Sequence, residues 1–126
     1  MGTIDLAYDF DKDLTTVTMS GHLTANELQA WMDEYYTGHP TALVLCDITT
    51  ANLSELNTND VRDLADHYRK FVGLRDGSKT ALVFDDPYKF GIGRMFESYL
   101  EIKGAEPFIG GFKSVDEAKK WLGVKD

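Results

Sequence analysis

The sequence predicts an α/β fold: a mixed, mainly parallel five-stranded sheet that opens with an antiparallel hairpin and carries four helices. Three observations carry this prediction. Residues 42–46 and 81–84 are continuous apolar runs of strand length, the pattern of strands covered on both faces. Strand-like runs alternate with segments whose apolar residues recur at helical spacing, and a strand followed each time by a helix implies right-handed parallel crossovers. Two capping boxes, Thr24 with Glu27 and Ser114 with Glu117, mark where helices begin.

Residues 4–10 alternate through Ile4, Leu6, Tyr8 and Phe10, which predicts a half-buried first strand. A second run sets Leu14, Thr16 and Thr18 against Val17 and Met19 and ends at Gly21. The turn residues Asp11-Lys-Asp13 join the two runs as a hairpin. The Thr24 box opens a helix with Leu28, Trp31, Met32 and Tyr35 on one side, and Gly38 with Pro40 ends it. Asp47 then closes the buried strand of residues 42–46, and residues 48–57, rich in Thr, Asn and Ser, show no period. A helix over residues 58–72 follows, with Val61, Leu64, Ala65, Tyr68 and Val72 on one stripe and Gly73 or Gly77 to release it. Residues 79–84 repeat the buried strand, stopped by Asp85-Asp-Pro87. Ile92, Met95, Phe96, Tyr99 and Leu100 predict the third helix, with Gly91 and Gly93 near its start and Gly104 near its end. Residues 107–112 read as a short last strand with Pro107 at an edge or first position. The Ser114 box opens a final helix facing inward with Val115, Ala118, Trp121 and Leu122.

At 126 residues the chain is long enough for one core and too short for two, so a single domain over residues 1–126 is expected. The apolar share of 43% and charged share of 27% are those of a packed globular protein rather than a disordered one. No apolar run can span a bilayer and the N-terminus lacks a signal peptide's pattern, so a cytoplasmic location without membrane insertion is expected. A net charge of -8 opposes nucleic acid and anionic membrane as partners, because both select Lys and Arg clusters. Cys46, the one cysteine, excludes an internal disulfide, and its apolar setting predicts a small buried hydrophobe.

Ligand clefts of open parallel sheets form at the carboxyl ends of the strands. On this chain that rim gathers His22, Asp47, Thr49, Thr50, Asp85, Asp86, Tyr88 and Lys89, flanked by Gly21, Gly110 and Gly111. Asp47, Asp85 and Asp86 have the composition of a carboxylate cluster, but their places suit strand ends and turns, and a Mg²⁺ site would need phosphate or more carboxylates. Gly91-x-Gly93 lacks the third glycine of a nucleotide loop and follows two aspartates, so a packing role for the glycines is expected. Arg94 is expected in a structural ion pair at the same rim. Asp9-x-Asp11-x-Asp13 fails as a calcium loop because Leu14 and Ser20 stand where glycine and glutamate belong. His22, His39 and His67 lack zinc spacing, and only His22, at the rim, is a candidate for polar ligand contact. No nucleophile elbow exists and Cys46 has no adjacent base. Neither an enzyme, a metal nor a cofactor is therefore expected. Tyr36, Tyr88 and Tyr99 are candidates to line a pocket or a homodimer patch.

The layout, together with Val44-Leu-Cys-Asp47, Phe90-Gly-Ile-Gly-Arg-Met-Phe96 and Phe112-Lys-Ser-Val-Asp-Glu-Ala-Lys-Lys-Trp-Leu122, resembles the SpoIIAA-like group of the STAS superfamily, the anti-sigma-factor antagonists. The resemblance covers nearly the whole chain. It implies a mixed sheet flanked by helices, no catalysis, and a regulatory protein as partner. In that family a phosphorylatable serine, preceded by Asp and followed by Gly, opens the second helix. Here the stretch is Leu56-Asn-Thr-Asn-Asp60, which makes Thr58 the nearest hydroxyl and leaves both the Asp-Ser pair and the glycine out. Thr58 and Ser54 are the candidate phosphoacceptors. The related CRAL-TRIO fold, which encloses lipids, implies the alternative of a small apolar, lipid-like ligand held between the sheet and the helix from Ile92 to Leu100.

Overall fold

The computed structural model describes residues 2–71, 78–102 and 108–124, so the expectations placed on Val72, Gly73, Gly77, Gly104 and Pro107 lie outside the described residues. Among the described residues the order is β1 (Thr3–Asp9), β2 (Leu14–His22), α1 (Ala25–Thr37), β3 (Leu43–Asn52), α2 (Thr58–Arg69), β4 (Lys79–Val83), α3 (Pro87–Ile102), β5 (Phe108–Phe112) and α4 (Val115–Leu122). The strands form one sheet in the order β1-β2-β3-β4-β5. β1 runs antiparallel to β2, and every later neighbour is parallel.

Strand order follows chain order, so successive right-handed crossovers deliver their helices to the same side of the sheet. Val17, Met19, Val44 and Cys46 accordingly pack with Leu28 and Tyr35 of α1, Leu64 and Tyr68 of α2 and Leu100 of α3. The other face, carrying Leu14, Leu45, Ala81 and Val83, is covered by Ala118 and Leu122 of α4. The two-residue period of a strand thus sends Val44 and Cys46 to one core and Leu45 to the other, which is why residues 42–46 read as an unbroken apolar run. Because the strand order never reverses, the sheet has no switch point where a crevice would open.

Local chemistry sets the ends of the elements. Thr24 and Glu27 make both halves of the capping box on α1, and Asn57 with Asp60 does the same on α2. On α4 the Ser114 hydroxyl accepts from Glu117 N at 3.2 Å, one half of the expected box. α3 starts at Pro87, earlier than Gly91. Asp86 caps it, its carboxylate accepting from Lys89 N at 2.8 Å and its carbonyl from Phe90 N at 3.1 Å, with Pro87 at the first helical position where its missing N–H costs nothing. Gly93 consequently sits within α3, and a Cβ there would come 2.5 Å from Phe84 Cζ, so its role is close packing on that ring. β1 ends at Asp9, and Phe10 enters the turn 73% exposed rather than completing a half-buried strand. The turn closes with Asp13 at φ 52°, in the left-handed region.

A buried hydroxyl cluster ties the end of α1 to the sheet. Tyr35 OH donates to Thr15 Oγ1 at 2.9 Å and accepts from Thr41 N at 3.0 Å. Thr15 and Thr41 Oγ1 lie 2.7 Å apart, and Thr41 Oγ1 donates to Leu43 O at 2.7 Å. Tyr35→Phe removes the hydroxyl that accepts from Thr41 N and donates to Thr15 Oγ1, in a site where Thr41 is 4% exposed. We expect a loss of about 1–3 kcal/mol, read as a lower urea midpoint at unchanged slope. An unchanged midpoint would show that the cluster contributes nothing net.

Candidate functional site

β4 pairs with β3 only from Leu43 to Asp47, whereas β3 continues through Ile48 to Asn52 with β2 as its strand neighbour there. Asp47 therefore does not end the strand, contrary to the sequence reading. The register against β2 slips between Thr18 and Ser20, so β3 carries a bulge. Asp47 shapes it by accepting from Thr49 N at 3.0 Å and Thr49 Oγ1 at 2.6 Å, and Thr50 Oγ1 donates to Met19 O at 3.0 Å.

The extension needs partners for carbonyls that β4 does not reach. Lys89, only 6% exposed, supplies them from the first turn of α3. Its Nζ lies 3.2 Å from Ile48 O, 2.9 Å from Thr49 O and 3.1 Å from Ala51 O. An ammonium has three protons and no acceptor, so it suits a nest of carbonyls. Asp85 Oδ1 at 2.8 Å and Asp86 Oδ2 at 3.4 Å balance its charge. Burial is the largest single influence and works against the Lys89 charge, but the hydrogen bonds to Asp85 and Asp86 together with their negative charges outweigh it and raise its pKa. The hydrogen bond from Lys89 is in turn the main cause that holds the Asp85 carboxyl below its ordinary value.

The rim residues are brought together only in part. Asp85 and Asp86 meet at Lys89, but Asp47 is engaged with Thr49, so the three do not form one carboxylate cluster. Among the described residues no group of three or more His, Cys, Asp and Glu could hold a metal ion. His22 is exposed beside Asn52, with Nε2 3.4 Å from the amide nitrogen. Tyr88 is 54% exposed, its hydroxyl 3.5 Å from Leu53 O. Ser54 is exposed, with its N–H on the Asn52 side chain at 2.9 Å, and Thr58 is exposed as the first residue of α2. Arg94 is exposed on α3, with no ion pair to another described residue. Tyr36 is 3% exposed among Tyr35, Tyr68 and Phe71, so it offers no dimer surface, but it lines the apolar cavity below the rim, as the pocket half of its expectation has it. The sequence placed Lys89 at the rim but not its burial; the readable signal was its spacing of three and four residues from two aspartates.

Solved structures similar in fold include the following two. One is an anti-sigma factor antagonist from Mycobacterium paratuberculosis, 14% identical with a TM-score of 0.62, matched over 98% of this chain and 95% of that one. The other is an uncharacterized protein of the DUF3478 family with a SpoIIAA-like fold from Shewanella loihica PV-4, 15% identical with a TM-score of 0.55, over 96% and 93%. The chain has a SpoIIAA-like fold. No family model matches the sequence, and no curated protein does so. At such identities the likeness carries the fold and leaves the site to be argued from its own residues.

Beneath the rim of this SpoIIAA-like chain, between the sheet and α1 to α3, lies a cavity of about 110 Å³ with an almost wholly apolar wall. α1 gives it Leu28, Trp31 and Met32, α2 gives Leu64 and Tyr68, and α3 gives Ile92 and Phe96. Cys46 and Ile48 line the sheet side, and Leu53 and Leu56 line it from the connection to α2. Ile92 and Phe96 meet the expectation of a space under the third helix, whereas Met95 and Tyr99 are not on its wall. Cys46 is buried at 3% exposure. No helix among the described residues is long and apolar enough to cross a membrane.

Lys89→Met removes the ammonium from its carbonyls and carboxylates. We expect a loss of about 2–3 kcal/mol, below the range for a fully buried pair because both carboxylates half face solvent. The pH dependence has a defined sign. A depressed Asp85 pKa contributes stability that is complete above the ordinary carboxylate value and lost as pH falls through the folded one. A raised Lys89 pKa contributes stability that is complete below the ordinary lysine value and lost as pH rises through the folded one. Urea midpoints measured against pH should therefore show a flatter acid limb in Lys89→Met than in the wild type, and parallel limbs would contradict the assignment.

Proposed function

We propose that the chain is a non-catalytic, single-domain regulatory module that docks a regulatory protein on the rim at the end of β3. One observation carries the proposal: β3 runs on past β4 and is held there by Lys89. It thereby presents Thr50, Asn52 and Ser54 beside an exposed Tyr88 on a supported edge instead of a loose loop. An exposed tyrosine amid hydroxyls and amides has the chemistry of a protein contact, since it offers a large apolar body with a polar tip. The likeness to an anti-sigma factor antagonist agrees with a regulatory partner. The net charge of -8 supports a protein rather than a nucleic acid in that role.

The proposed switch is Thr58, with Ser54 as the second candidate. A phosphate on the first residue of α2 would meet the positive end of the helix dipole. Asp60, whose carboxylate already accepts from Asn57 N at 3.1 Å, sets a negative charge against it. An alternative reading, a carrier or sensor of a small apolar, lipid-like ligand, draws on the cavity under the same rim.

Once a partner is captured, Tyr88→Ala should weaken binding about tenfold or more, whereas Lys120→Glu on α4, across the sheet, should leave it unchanged. Equal affinities for wild type and Tyr88→Ala, measured by titration calorimetry, would remove the rim as the docking face. Thr58→Glu and Thr58→Ala should differ in affinity from one another, and identical values would exclude Thr58 as the switch.

A further inference from the structure

β1 stands at one end of the sheet. Its inner side pairs with β2 without a slip from Thr3 with Ser20 to Asp9 with Leu14, and among the described residues no strand pairs with its outer side. In an antiparallel pair alternate residues turn their N–H and C=O groups away from the neighbour, so the outer side is a row of backbone donors and acceptors left to water. Edge strands are commonly guarded against pairing by brevity, a bulge, proline or lysine. β1 has seven residues in a regular ladder and contains neither proline nor lysine.

Its two faces differ in chemistry. Ile4 and Leu6 are half-buried against the main core, and Tyr8 stacks on Tyr35 of α1 at 6.4 Å, which places this stripe on the face that the helices cover. Tyr8 is still 40% exposed, and Phe10 stacks on it at 5.4 Å, so the apolar surface continues past the strand end. The two-residue period sends Asp5 and Asp9 to the opposite face. Asp5 is exposed with no ion pair to another described residue, and Asp9 meets only Lys12, at 4.0 Å on the surface. Asp11 follows in the turn and is exposed as well.

This pattern selects its occupant by charge. A second copy is disfavoured: every antiparallel register of two β1 strands that keeps their apolar stripes on one face sets Asp5 or Asp9 directly opposite or diagonal to a carboxylate of the other copy. We propose that the outer side of β1 is a docking edge for an extended segment of a partner protein, apolar on one face and bearing Lys or Arg on the other, which joins the sheet as a sixth strand. The segment's apolar residues lie beside Ile4, Leu6 and Tyr8, and its cations lie beside Asp5 and Asp9. β2 separates this edge from the end of β3, so it is a different surface from the rim and does not depend on docking there.

The test uses the intact chain and a capped heptapeptide, Lys-Val-Lys-Val-Lys-Val-Lys, with a Glu-for-Lys version and a version N-methylated at alternate residues. Amide hydrogen exchange should show every second N–H between Thr3 and Asp9 unprotected in the free chain and protected with the Lys peptide. Neither the Glu peptide nor the N-methylated one should protect them. Asp5→Lys should weaken the Lys peptide about fivefold or more, as one favourable cross-strand charge pair becomes a repulsive one. Asp63→Lys, the same change of charge at an exposed site on α2, should leave its affinity unchanged. Equal losses in the two variants would reduce the binding to net charge and overturn the proposal. So would equal protection by the Glu peptide, or no protection of β1 by the Lys peptide at millimolar concentration. A free chain that sediments as a dimer with those amides already protected would overturn it in favour of a second copy.

Discussion

A single buried ammonium organises the part of this molecule where function is proposed. Lys89 lies where β3 has outrun β4, and its three protons are shared among the carbonyls of Ile48, Thr49 and Ala51 and the carboxylates of Asp85 and Asp86. A lysine in that position is held charged by Asp85 and Asp86 despite its burial. The same two aspartates lie in the short connection from β4 to α3, and Asp86 also caps the helix, so the ion pair and the helix cap are one piece of chemistry. The bulge shaped by Asp47 and Thr49 directs the carbonyls to the ammonium, and the rim follows from that arrangement.

The strand order explains why the rim stands above a cavity rather than a crevice. Sequential parallel strands place α1, α2 and α3 on one face, and three helices crowded over a twisted sheet must fill the space beneath them with side chains of fixed volume. What remains unfilled lies among Leu28, Trp31, Leu64 and Phe96. The connection from β3 to α2 belongs to both regions. Leu53 and Leu56 turn into the cavity wall, while Ser54 and Thr58 of the same stretch are exposed. The cavity wall and the exposed rim thus share a segment without sharing residues.

Much of the fold was legible because it is written in periods and caps. The runs at 42–46 and 81–84 announce strands covered on both faces, and Thr24 with Glu27 announces the first helix. The misplaced boundaries have physical reasons. Asp47 looks like a strand terminator, yet its carboxylate stabilises a bulge that lets the strand continue. Pro87 looks like a breaker, yet after the Asp86 cap it is the first residue of α3. The aspartates of the rim were visible, but their balance by a buried lysine depends on a contact between α3 and β3 that no local pattern encodes. The cavity is a remainder of packing, and it appears only when the side chains of α1, α2 and α3 are all in place over the sheet.

Amide hydrogen exchange in wild type and Lys89→Met tests the role given to the ammonium most directly. The account predicts that the variant loses protection locally, at Ser20 to Leu23 and Ile48 to Leu53, while the sheet centre at Val44 to Cys46 keeps its slow exchange. Protection that is unchanged over Ile48 to Leu53, or lost evenly across the sheet, would contradict it.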